Sequence, residues 1–117
     1  MGDFKELLVW KQAHRLALDI YRDTQQFPQE ERYGLVAQMR RAALSVVSNI
    51  AEGSGRQSDR EQSRFLRFAR GSVHEVQCQL LISRDLGFLT SDKWLVLDGA
   101  VQEVSKMIHG LVSSLDC

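Results

Sequence analysis

The sequence predicts an all-α protein folded as an antiparallel up-and-down four-helix bundle, and three observations lead to this prediction. Apolar residues recur at intervals of three and four along four successive segments. Short stretches that contain proline, glycine or helix-capping residues separate these segments, and short connections favour antiparallel neighbours. No segment alternates between apolar and polar residues as a half-buried strand would. At 117 residues, the chain fits a single domain spanning residues 1–117.

The first predicted helix runs from about Leu8 to Gln26 and ends before Pro28. Proline disfavours the α conformation in the residue that precedes it, so the helix is expected to stop there. The predicted core face has residues spaced by four and three: Val9, Ala13, Leu16, Ile20, Thr24 and Phe27.

The second predicted helix opens at Pro28, with acidic residues in its first turn, and ends at Gly53. Gly53 is expected to adopt the left-handed cap conformation, and Gly34 is expected to mark a weak point or a bend. The core positions of this helix are predicted to be Val36, Met39, Ala43, Val46 and Ile50.

The third predicted helix begins with a capping box from Ser58 to Glu61 and continues to about Leu86. The small residues Gly71 and Ser72 in its middle are expected to let a neighbouring helix approach closely. Its predicted core positions are Leu66, Ala69, Val73, Val76 and Leu80, with Phe65 widening the apolar face.

The fourth predicted helix opens at Thr90, with Asp92 in its first turn. Its apolar residues repeat without interruption, which indicates a helix packed nearly parallel or antiparallel to its neighbours. They are Trp94, Leu97, Val101, Val104, Ile108, Leu111 and Leu115.

Charge is distributed unevenly along a chain that is neutral overall. The stretch from Gln38 to Arg70 contains seven arginines and three acidic residues, a net charge of +4, whereas the rest of the chain sums to −4. Arg60, Arg64 and Arg67 fall within a sector of about 60° on the side of the third helix opposite its core, and together with Arg56 and Arg70 they form a basic ridge. The proposed nucleic-acid contacts are Arg56, Arg60, Arg64, Arg67 and Arg70, with Arg40 and Arg41 as second choices.

Three interpretations of this basic face remain open. Arginines suit contacts to RNA or another polyanion, because each guanidinium forks onto phosphate oxygens and stays charged. The same face could instead meet a protein partner or a second copy of the chain. It could also be a passive solvated surface with local ion pairs such as Glu61 with Arg64.

Two further sets of residues suggest self-association. On the first helix, Trp10, Leu18 and Tyr21 lie off the core face, which indicates either an oligomer contact or a wide core stripe. On the second helix, the polar residues Gln38, Ser45 and Glu52 share one flank. This polar row fits either pairing across a subunit interface or contact with a ligand.

The sequence offers no recognisable catalytic or metal-binding pattern. The stretch Gly53–Arg56 lies between helices and lacks the lysine of a phosphate-binding loop. His74 and Cys78 are four residues apart on one helix, but a zinc site needs further ligands that helical spacing does not supply. We therefore predict no catalytic residue, no metal and no cofactor, and hence no enzyme.

The chain is expected to be cytoplasmic and not to associate with membranes. No apolar run approaches the roughly 20 residues that span a bilayer. The first residues, Met1–Glu6, lack the basic start and apolar core of a secretory signal. Cys78 in mid-helix and Cys117 at the end make a poor disulfide framework, which fits a reducing compartment.

Several longer motifs resemble a known family. They are VWKQAHRLALDIY, FPQEERYGLVAQMRRAALSVVSNIAEGSGR, FLRFARGSVHEVQCQL and DLGFL, which together cover nearly the whole chain. In these motifs the sequence resembles the bacterial four-helix-bundle proteins encoded in intervening sequences of 23S ribosomal RNA. That family is in turn similar to the accessory proteins of diversity-generating retroelements, which assemble as pentamers and associate with a reverse transcriptase and nucleic acid.

The resemblance implies a four-helix bundle, a homopentamer with a central channel and no known enzymatic activity. It also implies, by analogy, a protein partner such as a reverse transcriptase. Combined with the arginine face, it predicts a non-enzymatic oligomer that binds structured RNA or another polyanion. The alternative is a protein-interaction scaffold whose assembled ring docks a protein partner and has no role with RNA.

Overall fold

Four α-helices form the chain in the predicted order, in a computed structural model that describes residues 3–116. Their bounds are α1 Leu8–Thr24, α2 Leu35–Ser54, α3 Asp59–Asp85 and α4 Ser91–Asp116. Short 3₁₀ helices, Phe4–Glu6 and Gln29–Glu31, precede α1 and α2. The described residues contain no strand, and the all-α prediction is confirmed.

The helices pack as a bundle in which each contacts two others. α1 packs on α2 and α4, and α3 packs on α2 and α4, so the pairs on the two diagonals do not meet. A contact between Ser83 and Met39 joins the end of α3 to the start of α2. A contact between Asp116 and Ser63 joins the end of α4 to the start of α3. These pairings require antiparallel neighbours. The bundle measures 44 × 23 × 21 Å.

The core consists of the residues that the apolar spacing predicted. All predicted core positions of α1, α2 and α3 are buried, as are Leu97, Val101, Val104 and Ile108 of α4. The remaining α4 positions, Trp94, Leu111 and Leu115, are partly buried against this core. Each fully buried aliphatic side chain stabilises the fold by roughly 1.5–3 kcal/mol relative to exposure, so this seam is the main source of stability.

The start of α2 differs from the prediction. The residues after Pro28 form only a 3₁₀ turn, and α2 begins at Leu35. Gly34 lies between the 3₁₀ turn and α2, and its backbone angles, φ −105° and ψ −105°, are outside the helical region. The expectation of one helix from Pro28 is therefore wrong, and Gly34 is the residue that separates the turn from the helix.

The end of α2 also differs. The helix continues through Ser54, and its cap residue Gly55 is right-handed with φ −84°, so Gly53 is not a left-handed cap. Gly53 is buried and faces α3. A Cβ atom there would lie 3.1 Å from Cβ of Phe65 and 3.3 Å from the carbonyl oxygen of Gln62. Gly53 therefore permits close packing of α2 on α3.

The predicted cap residues of α3 and α4, Ser58 and Thr90, are confirmed, whereas the Glu61 carboxylate pairs with Arg64 and does not complete the predicted capping box. The hydroxyl of Ser58 accepts a hydrogen bond of 3.1 Å from the amide of Glu61. The hydroxyl of Thr90 accepts one of 3.2 Å from the amide of Lys93. Each bond satisfies a backbone donor that the first helical turn leaves unpaired, which fixes where the helix begins.

The small residues in the middle of α3 have different surroundings. A Cβ atom at Gly71 would meet no atom of the described chain within 4 Å, so no neighbouring helix of the bundle approaches there. Ser72 is buried and donates a 2.8 Å hydrogen bond to the hydroxyl of Ser45. The expected close approach therefore occurs at Ser72 but not at Gly71, and a second one occurs at Gly53.

Candidate nucleic-acid interface

The arginines of the predicted ridge lie at the amino-terminal half of α3 and in the turn before it. Arg60, Arg64 and Arg67 are exposed, and the side chains of Arg64 and Arg67 are 60% and 52% exposed. Arg56 is exposed in the turn, whereas Arg70 is half-buried. α3 begins one residue after its Ser58 cap, so all these side chains except Arg56 are carried by a single rigid helix.

Arg60 and Arg64 are the most available of these side chains. Arg60 forms no ion pair with any residue in the described range. Arg64 pairs with Glu61 at 3.5 Å, as predicted, but both side chains remain largely exposed. An exposed pair of this kind contributes only about 0.2–1 kcal/mol, so a phosphate can replace the carboxylate at little cost.

Arg56 contacts neighbouring side chains of its own chain. Its guanidinium donates to the carboxylate of Glu52 at 2.7 Å and lies 4.8 Å from the ring centre of Phe65. Glu52, a candidate for pairing across a subunit interface, is thus the ion-pair partner of Arg56 within one chain. Both side chains remain on the surface, with 43% and 57% exposure.

Two phenylalanines lie among these arginines. The rings of Phe65 and Phe68 meet edge to face, with centroids 5.7 Å apart and planes at 89°. The guanidinium of Arg64 lies 5.4 Å from the centre of the Phe68 ring. Phe68 is 47% exposed and was not among the predicted contacts, although its position four residues after Arg64 placed it on the same face.

Arg67 is held by the end of α4. Its guanidinium donates to the carboxylate of Asp116, which also accepts a 2.7 Å hydrogen bond from the hydroxyl of Ser63. The bond from Ser63 is the main cause that lowers the pKa of Asp116, and the bond and charge of Arg67 and the charge of Arg70 act in the same direction. No local pattern predicts this contact, because its partners lie far apart in the chain.

A groove between α3 and α4 continues the basic surface. It has a volume of about 700 Å³, and Arg70 lies on its α3 side while Lys106 lies on its α4 side. None of the described residues that line it carries a carboxylate. The other lining residues are His74, Gln102, Ser105, His109 and Gly110. The α4 residues were not predicted, because Lys106 is an isolated cation in a helix whose dominant pattern is its apolar repeat.

Arg40 is separated from the ridge and is bound to α1. It donates to the hydroxyl of Thr24 and to the backbone carbonyl of Tyr21, both at 3.1 Å. Its guanidinium also lies 4.6 Å from the centre of the Tyr21 ring. Arg41, in contrast, is exposed and lies beside the exposed Leu44 in a groove of about 520 Å³.

The apolar residues predicted to mediate self-association differ in exposure. Trp10 packs against the core, stacks on His14 at 4.8 Å and meets the edge of Phe4 at 5.1 Å. Tyr21 is half-buried beneath Arg40. Leu18 is 57% exposed, so it is the member of this set most available to another chain.

The polar residues predicted to share one flank of α2 differ in their surroundings. Gln38 is exposed and borders a small notch of about 150 Å³ together with Arg41 and Glu75. Ser45 accepts the bond from Ser72 and a 3.1 Å bond from the side-chain amide of Asn49. Ser45 therefore joins α2 to α3 inside one bundle.

The histidine and cysteine considered as metal ligands are both on the surface of α3. His74 and Cys78 are exposed. No group of three or more His, Cys, Asp or Glu side chains within residues 3–116 is arranged to hold a metal ion. No helix in this range is long and apolar enough to cross a membrane.

Comparison with known proteins identifies a family and solved structures of similar fold. Residues 5–110 match the profile of the family described as 23S rRNA-intervening sequence protein. The fold is similar to the crystal structure of a protein of unknown function from the S23 ribosomal protein family of Bacteroides thetaiotaomicron, with a TM-score of 0.81. The two chains are 18% identical over 90% of this chain and 98% of the other, which shows the fold alone. No curated protein matches the chain.

Proposed function

Because the chain belongs to the family of 23S rRNA-intervening sequence proteins, we propose that it is a non-enzymatic bundle that binds structured RNA through the arginines at the start of α3. The observation that carries this proposal is the exposure of Arg60 and Arg64. Arg60 forms no ion pair within the described residues, and Arg64 forms only the exposed pair with Glu61. A guanidinium forms charge-assisted hydrogen bonds with phosphate oxygens and remains charged at any working pH.

The neighbouring groups support an extended contact rather than a single anion site. Arg56 lies at one end of the ridge, and the groove with Arg70 and Lys106 lies at the other. A nucleic-acid backbone carries regularly spaced charges, so it fits an extended basic surface better than a small anion does. Arg67 is already occupied by Asp116, and Arg40 by α1, so we assign both weaker roles.

The experiment is a salt series of the affinity for a structured RNA. It compares the unmodified protein with the double variant Arg60→Gln and Arg64→Gln. Each arginine that contacts a phosphate adds about one to the slope of log affinity against log salt. We expect the slope of the double variant to be smaller by about two.

The matched control is Lys11→Gln with Arg15→Gln, which removes the same charge from exposed positions of α1 at the same spacing. The proposal predicts that this control keeps the original slope. Equal losses in both double variants would show that only net charge matters, and an absence of salt-dependent binding in the unmodified protein would reject the RNA function.

We also propose that the protein self-associates. The supporting observation is the number of large apolar side chains left at the surface of one bundle, because soluble monomers rarely expose extended apolar patches. Apart from Phe68, which lies among the arginines, they are Leu8, Leu18, Tyr33, Leu44, Leu81, Ile82, Leu86, Leu95 and Val96. The family resemblance implies a homopentamer, in which five arginine-rich segments of +4 would bring about +20 to one assembly.

Native mass spectrometry tests this second proposal. We expect a mass near five times that of the 13.3 kDa chain. Leu18→Glu or Leu44→Glu is expected to lower the mass, because a buried unpaired charge disfavours an interface. A monomeric mass at all concentrations would contradict self-association. An oligomer that binds no RNA would favour the scaffold that docks a protein partner, such as a reverse transcriptase.

A further inference from the structure

We propose that the exposed ring of Phe68 stacks on an unpaired base, so that the arginine face binds looped or single-stranded nucleotides in preference to a continuous duplex. This inference rests on the proposed RNA-binding function and specifies its substrate class. It is carried by the position of one half-exposed aromatic ring within a cluster of arginines.

The ring of Phe68 is held in a defined orientation. Phe65, which is half-buried, meets it edge to face with centroids 5.7 Å apart and planes at 89°. The guanidinium of Arg64 lies 5.4 Å from the centre of the same ring. A ring supported in this way loses little conformational entropy when another flat group stacks on it.

Phe68 does not serve the core of the bundle. It is 47% exposed and belongs neither to the buried core nor to the partly buried residues packed against that core. The contacts with Phe65 and Arg64 orient the ring but leave much of it exposed among cations. Its surroundings therefore indicate contact with something outside the bundle.

The charge around Phe68 indicates which occupant it meets. Arg60, Arg64 and, beyond Phe65, Arg56 lie along the same end of α3. A self-complementary contact with a second copy would bring the same cations together, which like charges disfavour, and the test below distinguishes a heterologous contact within a ring. A nucleotide instead supplies both a flat ring for Phe68 and a phosphate for the arginines, the usual combination in single-strand recognition.

Base pairing decides which nucleotides satisfy both contacts. In a continuous duplex every base is stacked between neighbours, and its face is unavailable to a side chain. Bases in loops, bulges and ends can unstack and lie on an aromatic ring. The cluster therefore favours RNA in which an unpaired base lies next to accessible phosphates.

The test measures binding of two RNAs, a hairpin with 2-aminopurine in its loop and a continuous duplex of equal charge. The variants are Phe68→Ala, Phe68→Leu and Phe68→Trp. Stacking on one base is expected to make Phe68→Ala and Phe68→Leu bind the hairpin about fivefold to a hundredfold more weakly. Phe68→Trp is expected to keep the affinity, and all variants are expected to keep the salt slope and the duplex affinity.

The comparison of Leu with Trp separates stacking from simple apolar contact, because leucine retains bulk without an aromatic face. Unchanged hairpin affinity in Phe68→Ala, together with a reduced slope in the Arg60 and Arg64 double variant, would overturn this inference and leave the RNA function standing. Loss of the oligomer in Phe68→Ala would identify a second copy as the occupant and would also overturn it. Absence of salt-dependent binding to either RNA would reject the function itself.

Discussion

Asp116 accepts a 2.7 Å hydrogen bond from the hydroxyl of Ser63, so the last turn of α4 is fixed to the beginning of α3. The same carboxylate accepts a hydrogen bond from Arg67. This contact fixes the antiparallel pairing of the two longest helices, and it occupies one arginine of the basic face with a carboxylate. Both effects lead to measurable consequences.

The first prediction concerns the pH dependence of stability. Ser63 and Arg67 lower the pKa of Asp116 below its usual value, so the folded state favours the carboxylate more than the unfolded chain does. The resulting stabilisation is complete above the unfolded pKa of about 3.9 and is lost as the pH falls through the lower, folded value. Asp116→Asn should therefore be less stable than the unmodified protein at pH 6, and this difference should shrink below about pH 4.

Urea unfolding at several pH values, monitored by circular dichroism, measures this difference. The control is Glu103→Gln, which removes a carboxylate from an exposed position of the same helix. Its stability difference should stay small at every pH. A stability difference for Asp116→Asn that does not change between pH 6 and pH 3 would show that the contact with Ser63 and Arg67 does not favour the ionised form.

The second prediction compares two glycines within helices. Gly53→Ala places a Cβ atom 3.1 Å from Phe65 and 3.3 Å from the backbone of Gln62, which cannot move away easily. We expect a net destabilisation of about 1–3 kcal/mol, because overpacking outweighs the gain in helix propensity. Gly71→Ala meets nothing within 4 Å and should stabilise the fold by up to about 1 kcal/mol.

Thermal unfolding of both variants gives the comparison, with each glycine serving as the control for the other. Stabilisation by Gly53→Ala would show that α2 and α3 can separate at no cost. Destabilisation by Gly71→Ala without loss of the native oligomer would contradict its open surroundings. Destabilisation together with loss of the oligomer would place Gly71 in a contact between chains.

The third prediction separates Arg40 from the ridge. Arg40→Met keeps an apolar stem but removes the hydrogen bonds to Thr24 and Tyr21, which should cost about 1–3 kcal/mol of stability. The salt slope of RNA binding should not change. Arg41→Met, at an exposed position, should change stability by less than about 0.5 kcal/mol. A reduced slope in Arg40→Met at full stability would place Arg40 among the RNA contacts.

The fourth prediction concerns the groove between α3 and α4. If RNA continues from the ridge into this groove, Lys106→Gln should lower the salt slope by about one. Lys93→Gln removes the same charge from the opposite end of α4, which begins at Ser91, and should leave the slope unchanged. Fluorescence anisotropy across a salt series measures both. Identical curves for Lys106→Gln and the unmodified protein would exclude the groove from the binding surface.

The fold could be predicted from the sequence because its main determinants are local. Spacing by three and four identified the buried face of every helix, and the Ser58 and Thr90 caps fixed where α3 and α4 begin. The ion pair between Glu61 and Arg64 was predicted for the same reason, since three residues on a helix bring side chains together.

The remaining features depend on contacts between distant parts of the chain. The tight approach at Gly53 arises from the packing of α3 on α2, so the sequence alone suggested an ordinary helix cap. The hydrogen bonds of Arg40 to α1 and of Arg67 to Asp116 cannot be predicted without knowing which helices are neighbours. Phe68 differs, because its spacing from Arg64 places it on the basic face, but one exposed aromatic residue in a sequence does not by itself indicate a contact.

The central claim, that RNA contacts the arginine face of α3, is tested most directly by photo-crosslinking. A hairpin RNA that carries 4-thiouridine in its loop is irradiated with the protein, and the crosslinked peptides are identified by mass spectrometry. We expect crosslinks to concentrate in residues 56–70 and to disappear when Arg60 and Arg64 are replaced by Gln. Crosslinks that are confined to α1, or to the start of α4 around Leu95 and Val96, and that these substitutions do not affect would contradict RNA contact with this face.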